Sequence, residues 1–225
     1  MSRIDTTREC EHEAVFGASG SGKSYYVKQI VKKWARALIW DPDNEYGEIP
    51  SIRTARTPAE VMQYINSGGN VRVRYVPVTI DRKLLEKCFD FISLAAFIWG
   101  NCLYVGEEIA DVTTPSKAAG GWGVVLRRGR KRGVKVIGVS QRPAECDKTL
   151  FTQARYIRTG RLDGEGDKAR LATTLSVPLE WVKQLGNLEF LSVDRSTGEL
   201  IAGKKAQKKV LRTDWKSEIV TKVTK

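Results

Sequence analysis

The chain has 225 residues, 41% hydrophobic and 28% charged, which excludes a disordered polypeptide and allows one domain with a sizeable core. The net charge of +12 points to a polyanionic partner and is local: residues 112–144 hold eight basic side chains and no acid, residues 203–225 eight basic and two acidic. One histidine and four cysteines without C-x-x-C spacing exclude a zinc site and a histidine-dependent nucleophile; disulfides, a signal peptide and an integral membrane segment are not expected.

In chain order, apolar runs with strand character fall at residues 12–17, 37–41, 71–76, 101–106, 134–139, 155–160 and 189–194. Helical spacing fills residues 23–36, 58–67, 80–99, 115–132, 144–152 and 179–186. Strands alternating with helices predict an α/β fold with a mainly parallel sheet, helices on both faces and ligands beyond the carboxyl ends of the strands. No repeat and no Pro, Gly or Ser-rich linker interrupts it, so the expected division is one domain over residues 1–202 and a basic C-terminal extension over 203–225.

The first strand runs into GASGSGKS, residues Gly17, Ala18, Ser19, Gly20, Ser21, Gly22, Lys23 and Ser24, which fits G-x-x-x-x-G-K-[ST] between a strand and a helix. Small residues let successive N–H groups turn inward, and the helix N-terminus adds its positive end, so the loop cradles a polyphosphate. Lys23 then reaches the outer phosphates and the Ser24 hydroxyl ligates Mg²⁺, which predicts ATP and Mg²⁺ as cofactors.

After the second strand, Asp41, Asp43 and Glu45 in IWDPDNEYG read equally well as a turn or as part of a site at the carboxyl edge. The strand LYVG ends in Glu107-Glu108, beside the phosphate loop in such a sheet. Glu107 is expected to hold Mg²⁺ or its water, and Glu108 to orient or deprotonate the attacking water. A later strand ends in Ser140-Gln141, where the amide of Gln141 can face the γ-phosphate or the water.

Between those strands LRRGRKRG packs Arg127, Arg128, Arg130, Lys131 and Arg132 into six residues, a nucleic-acid patch or a source of an arginine acting on ATP in a neighbouring subunit. Arg128 is the choice within it. Trp122, among glycines, reads as a buried ring in preference to a loop aromatic, and the tail 204–212 as a nonspecific DNA contact or a solvated end.

GASGSGKS, IWDPDNEYG, LYVGEE and LRRGRKRGVKVIGVSQRP, in that order over residues 12–143, resemble the FtsK/HerA superfamily of DNA-pumping ATPases. Residues 185–200 look like the terminal strand pair of that motor core, a P-loop NTPase of the RecA-like, additional-strand type. Neither the N-terminal barrel of cellular HerA nor the winged helix of FtsK is expected. That bareness resembles the genome-packaging ATPases of tailless icosahedral viruses with an internal membrane, the tectivirus type. One departure is Glu107, where the family usually has Asp.

The resemblance implies a homo-oligomeric ring, a hexamer by preference, with ATP at subunit boundaries and double-stranded DNA in a basic channel. It also implies docking to a capsid-vertex or membrane protein, and a place in the host cytoplasm and the virion. The expected activity is ATP hydrolysis coupled to DNA translocation. An assembly or secretion ATPase acting on protein and a small P-loop kinase are the alternatives; the absence of an NKxD motif argues against a GTP switch.

Overall fold

The central strands, with runs such as ALIW and CLYVG, are buried along their whole length and need cover on both faces, and that requirement shapes the chain. The computed structural model describes residues 4–204 and 207–211. Strand β1 (Glu13–Phe16) leads through the glycine-rich loop into helix α1 (Lys23–Lys33), followed by β2 (Ala37–Trp40) and β3 (Ile52–Ala55). Then come α2 (Pro58–Asn66), β4 (Arg72–Tyr75), α3 (Arg82–Trp99), β5 (Cys102–Gly106), α4 (Gly120–Arg128) and β6 (Val134–Ser140). The chain continues through α5 (Lys148–Gln153), β7 (Tyr156–Thr159), α6 (Glu165–Leu175) and α7 (Leu179–Lys183) to β8 (Glu189–Asp194), β9 (Glu199–Lys204) and β10 (Gln207–Leu211).

Among the described residues the strands form one ten-stranded sheet in the order β10-β9-β8-β7-β1-β6-β5-β2-β4-β3. From β7 to β3 every neighbour is parallel, while β8, β9 and β10 are antiparallel. Alternate residues feed two cores. Phe16, Tyr104 and Val136 join the larger one, under α2 to α7, whereas Val15, Val105 and Ile137 join a smaller one under α1 and the segment holding Tyr46 and Ile49. Trp122 belongs to the larger core: its ring meets Phe89 and Tyr104, and its indole N–H donates to Asp147 at 2.8 Å.

The expected alternation is present, with differences that have local causes. The helix expected over 115–132 starts only at Gly120, because the residues before it spend their backbone groups elsewhere: Ala118 N–H donates to Thr149 Oγ1 at 2.9 Å and Ser116 O accepts from Lys148 N–H at 2.9 Å. Residues 129–132 form a 3-10 turn, closed by Gly133 at φ +72°. The helix expected over 144–152 breaks because Asp147 caps a new one, accepting from Leu150 N–H at 2.9 Å. Strand β3 and helix α6 went unanticipated, the helix because Leu171, Ala172 and Leu175 are its only buried residues and make a narrow stripe. The boundary expected after residue 202 falls inside β9, which runs to Lys204 and pairs with β10; residues 212–225 of the expected extension lie outside the described residues.

His12, fully buried just before β1, donates from Nε2 to Leu126 O at 3.1 Å and accepts at Nδ1 from Val136 N–H at 3.2 Å. Both bonds belong to the neutral ring, and burial, with the charges of Lys135 and Arg130, pushes its pKa down to about 4. An unfolded histidine takes its proton near pH 6.5, so the native state should be progressively destabilised as pH falls from about 6.5 to about 4, by up to about 3 kcal/mol. Urea unfolding at pH 7 and pH 4.5, together with NMR titration of the ring, checks this. A ring titrating near its ordinary value in the folded protein would overturn it.

Candidate active site

Register places the business ends of four strands together: Phe16 pairs with Ser140, and Trp40 with Gly106. The segments leaving β1, β2, β5 and β6 close a cleft of about 220 Å³. Its walls are Ser19, Gly20, Gly22, Lys23, Ser24 and Tyr25 on one side, Asp41, Asp43 and Glu45 after β2, Glu107 and Glu108 after β5, and Gln141 after β6.

The glycine-rich loop is held by its neighbours' backbones. Gly17 N–H donates to Ser140 O at 3.3 Å and Ala18 N–H to Arg161 O at 2.7 Å. Gly17 and Gly22 sit at φ +154° and +94°, and a Cβ on Gly17 would lie 2.4 Å from Ser21 Oγ, so the turn requires glycine there. Gly17, Ala18 and Ser21 form the underside of the loop; the other five loop residues face the cleft. Gly22 caps α1 without a side-chain acceptor, which leaves the first amides of the helix for an anion. Lys23 Nζ donates to Ala18 O at 3.3 Å. Burial lowers its pKa, and the carboxylates of Glu108, Glu107, Glu45 and Asp43 act in the opposite direction.

IWDPDNEYG forms a turn, and that turn lines the cleft. The buried Asp41 carboxylate caps a turn, accepting from Glu45 N–H at 2.8 Å and Tyr46 N–H at 3.1 Å, and pairs with Arg74 at 3.2 Å. The turn so fixed delivers Asp43 and Glu45 to the cleft and aims the buried Tyr46 hydroxyl at Glu107, to which it donates. Burial pushes Glu107 up to about 8; the Tyr46 hydrogen bond opposes the shift, and Glu108 and Glu45 add to it. Sequence reasoning missed Tyr46, since nothing in its spacing from residue 107 shows that β2 and β5 are neighbours.

Glu108, left-handed at φ +41°, turns its carboxylate along the cleft floor. It accepts from Gln141 Nε2 at 2.9 Å and from Gln141 N–H at 3.2 Å. One N–H of the amide expected to face a phosphate or water is thus given to the neighbouring carboxylate, which it helps to orient.

A divalent cation fits this donor set in part. Ser24 offers a hydroxyl and Glu107 a carboxylate, both hard oxygens, yet among the described residues no three acidic, histidine or cysteine side chains are grouped to hold an ion by themselves. Water or phosphate oxygens would have to complete its shell, as for Mg²⁺ bound with a nucleotide.

Residues 4–94 match the central-domain model of the helicase HerA, DUF87. Protein P9 of Pseudoalteromonas phage PM2 is 31% identical over 190 residues, which cover 84% of this chain and 85% of that protein. The chain belongs to the FtsK/HerA family of P-loop ATPases. Its fold is that of the genome packaging NTPase B204 from Sulfolobus turreted icosahedral virus 2, with a TM-score of 0.68 over 88% of this chain and 98% of that one at 19% identity. VirB4 of Thermoanaerobacter pseudethanolicus shares it at a TM-score of 0.57 and 10% identity, over 88% of both chains.

In this FtsK/HerA chain the arginine cluster lies away from its own cleft. Helix α4 runs back across the sheet, so Arg128 at its end and the turn that follows sit beside Val134, the start of β6, at the amino edge. Arg127 donates to Ala118 O at 2.9 Å, Arg130 to Arg8 O at 3.5 Å, and the Arg132 guanidinium stacks 4.6 Å over Phe97. Arg128 is exposed and makes no hydrogen bond or ion pair among the described residues.

Proposed function

We propose that this chain is an ATP-hydrolysing motor that moves double-stranded DNA into a virus capsid. The observation that carries the reading is the convergence of Lys23, Glu107, Glu108 and Gln141 in one cleft at the N-terminus of α1. Membership of the FtsK/HerA family and relatives that include a viral genome packaging NTPase support it, as does the concentration of basic charge in residues 112–144 and 203–225.

In this reading the loop amides and the Lys23 ammonium bind the β- and γ-phosphates of ATP. Ser24 and Glu107 hold Mg²⁺, which neutralises charge on the phosphate oxygens when bound. Glu108, oriented by Gln141, takes the proton of a water that attacks the γ-phosphorus in line. The bond from that phosphorus to the bridging oxygen breaks, and ADP leaves with the electron pair. Arg128 serves the site of an adjacent subunit in a homo-oligomeric ring, a hexamer by preference. The basic segments contact DNA, and a capsid-vertex or membrane protein anchors the ring, which works in the host cytoplasm and in the virion.

Hydrolysis measured with and without double-stranded DNA tests the function. Stimulation by DNA of any sequence, fading with salt, is expected, and phosphate transfer to a small acceptor or indifference to DNA would overturn it. Glu108→Gln keeps the shape of the acid without its basicity, so it should bind Mg²⁺-ATP normally and turn over about a hundredfold or more slower. Equilibrium binding beside single-turnover rates checks this, and near-normal turnover would remove Glu108 from the role of base.

A further inference from the structure

Tyr25 is the second residue after Lys23, and its ring is 69% exposed on the wall of the cleft. Single exposed apolar groups are ordinary on a protein surface, but this ring stands on the wall of the cleft itself, beside the phosphate loop. Its surroundings are built. Tyr25 lies in the first turn of α1, and Gly22 caps that turn. Leu188 stands beside the cap: a Cβ on Gly22 would meet its Cδ2 at 3.2 Å.

Leu188 is held there against its own backbone preference, at φ +63°, by the turn entering β8. Glu189 N–H donates to Gly186 O at 3.2 Å, and Gly186 N–H to Glu189 Oε2 at 2.9 Å. Arg161 ties the same turn to the phosphate loop, donating from Nε to Asn187 Oδ1 at 3.2 Å and from Nη2 to Ser19 O at 3.3 Å. An aromatic group on the cleft wall and an aliphatic group beside the helix cap thus lie at the N-terminal turn of α1, next to the amides that would hold the phosphates.

We infer that Tyr25 and Leu188 form the nucleoside subsite, taking the base of the nucleotide by stacking and apolar contact. The inference rests on the reading of the cleft as a triphosphate site and adds the part that reads the nucleoside. Stacking uses the flat face that every base has, so the subsite contributes affinity with little choice among bases.

Calorimetric titration of the full chain with ATP and, separately, with inorganic triphosphate, both with Mg²⁺, separates the two readings. Tyr25→Ala should weaken ATP binding about tenfold or more and leave triphosphate binding unchanged, while Tyr25→Phe, which keeps the ring, should bind ATP within about threefold of the unmodified chain. Tyr25→Ala that binds ATP normally, or that loses ATP and triphosphate to the same extent, would overturn the subsite. If the unmodified chain binds neither ligand, the triphosphate reading itself falls and the subsite with it.

Discussion

Lys23→Ala is expected to lower ATP hydrolysis by about a thousandfold or more while the protein stays folded. Among the described residues the ammonium is the one cation lining the cleft, which it shares with Asp41, Asp43, Glu45, Glu107 and Glu108. Without it the outer phosphates of ATP would lose the lysine charge that offsets the acidic wall, so both binding and the charge developing on the transferred phosphoryl group lose compensation. The fold does not depend on it. Gly17 N–H and Ala18 N–H hold the loop through Ser140 O and Arg161 O, and among the described residues the only hydrogen bond of Nζ goes to Ala18 O. Turnover assays beside thermal unfolding without nucleotide check both halves. Retained turnover would remove the phosphate loop from the mechanism, and a collapse of stability would make the lysine structural.

Arg128→Ala should cost on the order of a thousandfold in turnover, provided that subunits associate and this arginine reaches a neighbour's phosphate. The choice rests on placement: Arg128 lies at the amino edge of the sheet, away from its own cleft, and Arg127, Arg130 and Arg132 each contact their own subunit. Arg128→Ala carries an intact phosphate loop and Glu108, whereas Glu108→Gln carries an intact arginine. Neither should hydrolyse ATP well alone, but in mixed assemblies some boundaries pair a normal cleft with a normal arginine, and activity should partly return. Subunit exchange is shown separately by pull-down with a tag. Exchange without recovery at any mixing ratio would leave Arg128 to DNA or to surface charge.

The motif spacing that announced the family is local, and so it was legible in a single chain. G-x-x-x-x-G-K-[ST] works through backbone turns and one helix end, all within residues 17–24. The place of the acidic pair and Gln141 on one cleft was legible for a related reason, since each directly follows an apolar strand and parallel sheets align such ends. Helix α6 was not, because a stripe of three buried residues on an otherwise polar segment carries little periodic signal.

The sequence alone determined the strand-helix alternation, the polyphosphate loop and the acids beyond the strand ends, because these follow from periodicity and from residues adjacent in the chain. Only the tertiary structure decided who meets whom across the sheet. Strand order put β2 beside β5, so Tyr46 donates to Glu107, and β6 on the other side of β5, so Gln141 clasps Glu108. It also carried the turn before β8 to the phosphate loop, setting Leu188 against Gly22. Such partners are tens to more than a hundred residues apart, and their meeting is set by which strands pair, a choice made by burial of the whole sheet and written in no local spacing.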